Sequence, residues 1–129
     1  MTVQSVHSTD APKPIGPYSQ AVVAGETVYS SGQIGLDPET GELVAGGAAA
    51  QAHRALTNLE AVLRTAGSGL DKVVKVTLFL RSMGDFAEVN RAYAEHFRDH
   101  RPARSAVEVS RLPKDALVEI ETVATVNDA

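Results

Sequence analysis

No segment restricts the fold of this chain more than Val73 to Leu80, which reads VVKVTLFL. Its apolar residues fall on both parities of a strand, and side chains on a strand alternate faces. A strand of this kind is stable when both faces of its sheet are covered. Helical patterns flank it. From Ala48 to Ala66, the residues Ala52, Ala55, Leu56, Leu59, Val62, Leu63 and Ala66 recur at helical spacing, with His53, Thr57, Glu60 and Arg64 opposite. Gly67 stands where a left-handed cap ends a helix. After the strand, Asp85 with Glu88 three residues on reads as a capping-box variant, and Phe86, Val89, Tyr93 and Phe97 form the buried stripe of a second helix.

The remaining strands lie toward the two ends. Tyr18 to Ala24 and Thr27 to Ser31 read as a hairpin turning at Gly25-Glu26. Turn signals follow at Asp37-Pro38 and Thr40-Gly41. Between Arg101 and Val126, two strand-like runs flank the turn Leu112-Pro113-Lys114-Asp115. In the second run Val118, Ile120 and Ala124 face one way, and Glu119 and Glu121 the other. Arg104 in the first run and Glu119 in the second are therefore expected to line one cleft from neighbouring strands. Residues 1–14 are polar and Pro-rich and read as an N-terminal tail, leaving 15–127 as a single domain. The order β-β-α-β-α-β-β is an α+β layout with two helices on one face of a sheet. The opposite face then exposes Leu117, Val123, Val73 and Phe79, and an exposed apolar patch marks an interface. A homo-oligomer is the expected result.

Composition limits the function. The chain has 129 residues, 43% of them apolar, enough for one folded core. A formal net charge of -4 argues against nucleic acid as a partner. There is no Cys, which removes disulfides, thiol nucleophiles and thiolate metal sites. The longest apolar run is far too short to span a bilayer, and Met1 to Asp10 has no signal-peptide pattern, so a cytoplasmic location is expected, with no membrane partner. Phosphate-binding, metalloprotease and nucleophile-elbow motifs are absent. His96 and His100 are four apart, but both fall at the end of the second helix, where a cation complements the dipole. No metal and no cofactor are expected.

Two residues remain as candidates for chemistry. An arginine on a strand is often a salt-bridged surface residue, but Arg104 sits among Ala103, Ser105 and Ala106, which leave room for a ligand. A guanidinium fork is also the usual grip on a small carboxylate. Glu119 reads equally as a solvated strand residue or as a base.

Six segments in order resemble the RidA (YjgF/YER057c/UK114) family of small imine and enamine deaminases, from about Pro14 to Val126. They are IGPYSQAV, SSGQIGLDPETGELV, QAHRALTNLEAVLRTAG, VVKVTLFL, DFAEVNRAYAEHF and PARSAVEVSRLPKDALVEIE. The resemblance implies a chorismate-mutase-like fold of the bacillary type: a mixed sheet of about six strands with two helices on one face. It also implies a homotrimer with active sites at the subunit interfaces. By the same resemblance Arg104 holds the substrate carboxylate and Glu119 handles the hydrolytic water. Tyr18, Ser31, Gly32, Gln33, Ile34, Asn90 and Ala106 line the pocket. The implied substrates are 2-aminoacrylate, 2-aminocrotonate and their 2-imino acid tautomers. The products are 2-keto acids and ammonia, which makes the activity a metabolite damage control. The sequence departs from the family pattern in two places. Arg101 stands where an aromatic is common, after a shortened loop, and Ala106 where Cys is common. The alternatives are a non-catalytic trimeric small-ligand-binding or interaction module, and a deaminase of a different, bulkier imine.

Overall fold

The computed structural model describes residues 2–126. Six strands form one mixed sheet: β1 (Val3–Val6), β2 (Ala21–Ala24), β3 (Thr27–Ser30), β4 (Val73–Leu80), β5 (Ala103–Glu108) and β6 (Val118–Thr125). Helices α1 (Gly47–Thr65) and α2 (Phe86–Phe97) pack on one face. The strand order is β1-β2-β3-β6-β4-β5, antiparallel except for the parallel pair β4–β5, which α2 connects.

The core explains why these residues form these elements. The apolar stripe of α1, from Ala48 through Leu63, packs on Val28, Val76, Leu78, Val118, Ile120 and Ala124, one face of three adjacent strands. Gly67 ends the helix at φ +87°, and Ser68 N–H donates to the Leu63 carbonyl at 2.8 Å, which closes a Schellman turn. The start of α2 differs from the capping-box expectation. Asp85 occupies the cap position but makes no side-chain cap bond. A 3-10 turn over Met83–Asp85 precedes the helix instead, and Ser82 Oγ accepts from Gly84 N–H at 3.1 Å.

The N-terminal tail expectation is corrected for part of its length. β1 pairs antiparallel with β2, Val3 opposite Ala24 and Val6 opposite Ala21, and Val6, Ala11 and Pro12 are buried. The clamp is Gln20, 1% exposed. Its Oε1 accepts from Ser8 N–H at 2.6 Å, while Nε2 donates to the carbonyls of Ser8 and Pro12 at 3.1 and 2.9 Å. One buried amide thus satisfies the backbone of a segment whose own sequence carries little apolar periodicity.

The exposed-patch expectation is corrected in part as well. Val73 is 1% exposed and belongs to the helix-side core, and Leu117 packs against that core too. A bulge between Val73 and Lys75 shifts the alternation, so Lys75, Thr77 and Phe79 face away from the helices. Phe79 is partly covered by Ile34, Leu36, Leu112 and Ala116. The open face keeps Tyr29 and Val107 exposed, with Val123 half-buried.

The segment from Gly32 to Leu36 is held on α1 by a second buried amide. Asn58 Nδ2 donates to the Leu36 carbonyl at 3.0 Å, and its Oδ1 accepts from Arg54 Nε at 3.0 Å. The fit is close at Gly35, where an added Cβ would stand 2.7 Å from the Gln51 Cα and carbonyl. Backbone cannot yield as a side-chain tip can. Gly35→Ala is expected to destabilise the protein by about 1–3 kcal/mol, a shift in urea midpoint with an unchanged slope.

Candidate functional site

The sequence-derived site residues form two groups on opposite faces of the sheet. β5 and β6 are not neighbours, because β4 lies between them. Arg104 is in register with Val76, whose side chain is in the helix-side core, so Arg104 emerges on the covered face beside α2. Glu119 is in register with Phe79 and emerges on the open face. The expectation that both line one cleft within a chain is therefore corrected. The parallel crossover through α2 carries β5 to the outer edge of β4, and β6 pairs with the inner edge.

The first group surrounds Arg104. Its Nη1 donates to Asn90 Oδ1 at 2.7 Å. Its guanidinium carbon lies 4.8 Å from the centroid of the Tyr93 ring and 5.4 Å from that of Phe86. The helix stripe thus supplies both an amide and two aromatic faces to one cation. Asn90 and Arg104 line an open cleft of about 740 Å³. Ala106 lies two residues along the same face, half-buried against the core. Tyr93 belongs to this group too, although its spacing marked it only as a core residue. Its buried hydroxyl has no partner at hydrogen-bond geometry among the described residues, and burial raises its pKa against the opposing influence of the nearby Arg104 and Arg101.

The second group surrounds Glu119. Tyr18, Gly32, Gln33, Ile34 and Glu119 line a smaller cleft of about 250 Å³, closed on one side by Pro12 to Ile15 and on another by Pro113 and Lys114. The segment is registered by Gln33, whose N–H and carbonyl pair with Ile120 at 2.8 and 3.0 Å. Gly32 lies directly against the acid: a Cβ there would stand 2.3 Å from Glu119 Oε2. The Glu119 carboxyl is half-buried, and burial, with Glu121 as a smaller contributor, raises its pKa above the ordinary glutamate value. Tyr18 is half-exposed at the rim.

Ser31, expected to line the pocket, lines neither of these two clefts. Its hydroxyl donates to the Ser19 carbonyl at 2.6 Å, which commits the proton to fixing the loop that carries Tyr18. The two C-terminal histidines also part. His96 Nε2 meets His53 Nδ1 at 3.0 Å, and His100 Nε2 meets the Val73 carbonyl at 2.7 Å. Among the described residues, no cluster of three or more His, Asp or Glu is placed to hold a metal.

Residues 8–126 match the family model described as Endoribonuclease L-PSP, Ribonuc_L-PSP. The chain belongs to the RidA family. A RutC family protein of Pyrococcus horikoshii is 53% identical over 119 residues, covering 92% of this chain and 94% of that protein. The human 2-iminobutanoate/2-iminopropanoate deaminase is 47% identical over 119 residues, covering 92% and 87%. Among solved structures, a putative endoribonuclease of Thermotoga maritima superposes with a TM-score of 0.93 at 51% identity, covering 96% of this chain and 98% of that one. Escherichia coli TdcF with bound serine superposes with a TM-score of 0.91 at 39% identity, covering 96% and 99%. The six-stranded sheet with two helices is thus the RidA fold.

Proposed function

We propose that this RidA-family chain hydrolyses 2-imino acids and their enamine tautomers, including 2-aminoacrylate and 2-aminocrotonate, to 2-keto acids and ammonia. The chain is then a hydrolase of C=N bonds, acting as a homotrimer with each site shared between two subunits. The observation that carries the reading is the state of Glu119: a half-buried carboxyl with a raised pKa, packed against the Gly32 backbone and without an ion pair among the described residues. A surface carboxylate kept for solubility needs none of this, and a binding module for anions is weakened by it. A base that activates water is served by it.

The split between faces supports the shared site. Arg104 faces α2 at the outer edge of the sheet and Glu119 faces the open side, so one chain presents the two halves in different directions. A neighbouring subunit packed on the open face brings its own edge strand and its Arg104 toward Glu119 of the first.

The chemistry then follows from the groups present. Arg104, held by Asn90, takes the substrate carboxylate with its remaining donors and sets the imine carbon toward Glu119. Glu119 accepts a proton from water as the oxygen adds to the C=N carbon and returns it to the nitrogen, which gives the amino alcohol. Glu119 then takes the hydroxyl proton as the C=O bond forms and passes it to the departing nitrogen, so the C–N bond breaks, ammonia leaves and the keto acid remains. The human relative's name describes this reaction type.

The test is a coupled assay in which a threonine dehydratase generates 2-iminobutanoate and semicarbazide traps what is not hydrolysed. Loss of the semicarbazone signal with the wild-type protein is expected, and an undiminished signal contradicts the reading.

Gly32→Ala separates the site from the fold. The three atoms nearest the added methyl are Oε2, Cδ and Cγ of Glu119, a flexible side chain that can turn away where backbone could not. Stability should change by less than about 1 kcal/mol, while displacement of the carboxylate lowers turnover about 10²-fold. A calorimetric melt and the coupled assay on one preparation check both halves.

A further inference from the structure

The cleft around Arg104 contains more positive charge than one carboxylate requires. Besides Asn90 and Tyr93, its polar wall consists of Arg91, Arg101 and Arg104, and among the described residues no Asp or Glu lines it. Arg101 stands just before β5, and its Nη1 donates to the backbone carbonyls of Arg98 and His100. These bonds pin the side chain at the cleft by one nitrogen, and its other donors have no partner among the described residues. Arg104 is pinned in the same way through Asn90. Arg101 and Arg104 line the same cleft, together with Tyr93.

Convergent guanidiniums repel one another when the cleft is empty, and each additional anion placed between them is stabilised by more than its contact with one arginine. A substrate with one carboxylate uses Arg104 and leaves Arg101 unmatched. A substrate with a second carboxylate on its side chain satisfies both. The planar fork suits a carboxylate at either end.

We propose that this cleft selects dicarboxylic ligands: a 2-imino acid with an acidic side chain as substrate, and the corresponding 2-keto diacid as product. The inference names the substrate class of the site proposed above and rests on that reading for turnover, but not for binding. Arg104 takes the carboxylate next to the imine carbon, and Arg101 takes the side-chain carboxylate. The class of reaction that supplies such an imine is oxidation of an acidic amino acid at its α-carbon, in which a flavin or nicotinamide acceptor takes the hydride, the nitrogen loses a proton and the C=N bond is left for hydrolysis.

The test is titration calorimetry on the intact assembled protein with 2-oxoglutarate, 2-oxobutanoate and inorganic phosphate at one ionic strength. The inference expects 2-oxoglutarate to bind at least about tenfold more tightly than 2-oxobutanoate, and Arg101→Gln to bring that ratio close to one. A ratio of one or less in the wild type overturns it, as does a ratio that survives Arg101→Gln. Phosphate binding as tightly as 2-oxoglutarate overturns it too, by showing an unselective anion site. The two readings fail separately. Preference for the diacid without imine hydrolysis keeps the ligand class and removes the deaminase. Hydrolysis of 2-iminobutanoate without preference for the diacid does the reverse.

Discussion

Arg104→Ala is expected to lower kcat/KM for 2-iminobutanoate about 10²–10⁴-fold while leaving the fold and the assembly intact. Two charge-assisted hydrogen bonds to one carboxylate, at roughly 1.5–3 kcal/mol each, give that range. The fold is spared because Arg104 lies on edge strand β5, where its partners are the rim of α2 and solvent, not the centre of the core. Arg104→Lys should restore little. An ammonium keeps the charge but not the fork, nor the planar stacking over Tyr93 and Phe86. The semicarbazide-coupled assay and size-exclusion chromatography check the pair of claims. Turnover like that of wild type in Arg104→Ala sinks the carboxylate clamp.

Glu119→Gln is expected to lower kcat about 10²–10⁴-fold, the usual worth of a positioned base, with substrate affinity largely kept. Its pH behaviour is the sharper signature. Glu119 acts ionised, so the rate falls as the pH drops through its pKa. Because burial raises that pKa, the acid limb lies above the pH where an ordinary glutamate would place it. The limb should vanish in the Gln variant. Stability moves in the opposite direction to activity. A carboxyl with its folded pKa raised is carried without penalty below the unfolded value. Above the folded value its ionised form disfavours the native state. At neutral pH Glu119→Gln should therefore melt a degree or a few higher than wild type, an increment scaled down because the group is only half-buried. A loss of affinity with kcat unchanged removes Glu119 from the handling of water.

The helices and strands β2 to β4 and β6 were legible because each rests on periodicity, whereas of the candidate residues only Arg104 and Glu119 stood out by themselves and the rest came with the family resemblance. The helical spacing of Ala52 to Ala66 and the alternation of Val118 to Ala124 leave little choice. Four features were not legible, for physical reasons. β1 forms because Gln20, twelve residues beyond Ser8, satisfies a polar backbone, and a single amide leaves no periodic trace. Val73 turned into the core because a bulge reset the alternation, and nothing in VVK announces a bulge. Arg104 and Glu119 parted because strand order is decided by pairing between distant segments. A run that reads as a hairpin about Leu112 to Asp115 was opened instead by insertion of β6 between β3 and β4. Arg101 was visible as a departure from the family pattern, but its convergence with Arg91 and Arg104 required the folded α2–β5 corner.

The central claim is that each site takes its arginine from one subunit and its glutamate from another. Subunit complementation tests it most directly. Arg104→Ala and Glu119→Gln, each inactive alone, are unfolded together in equal amounts, refolded and assayed. Random assembly places an intact Arg104 opposite an intact Glu119 in about a quarter of the sites, so about a quarter of wild-type activity is the predicted result. No recovered activity, from mixed oligomers verified by mass, would contradict the account and return both residues to a single chain.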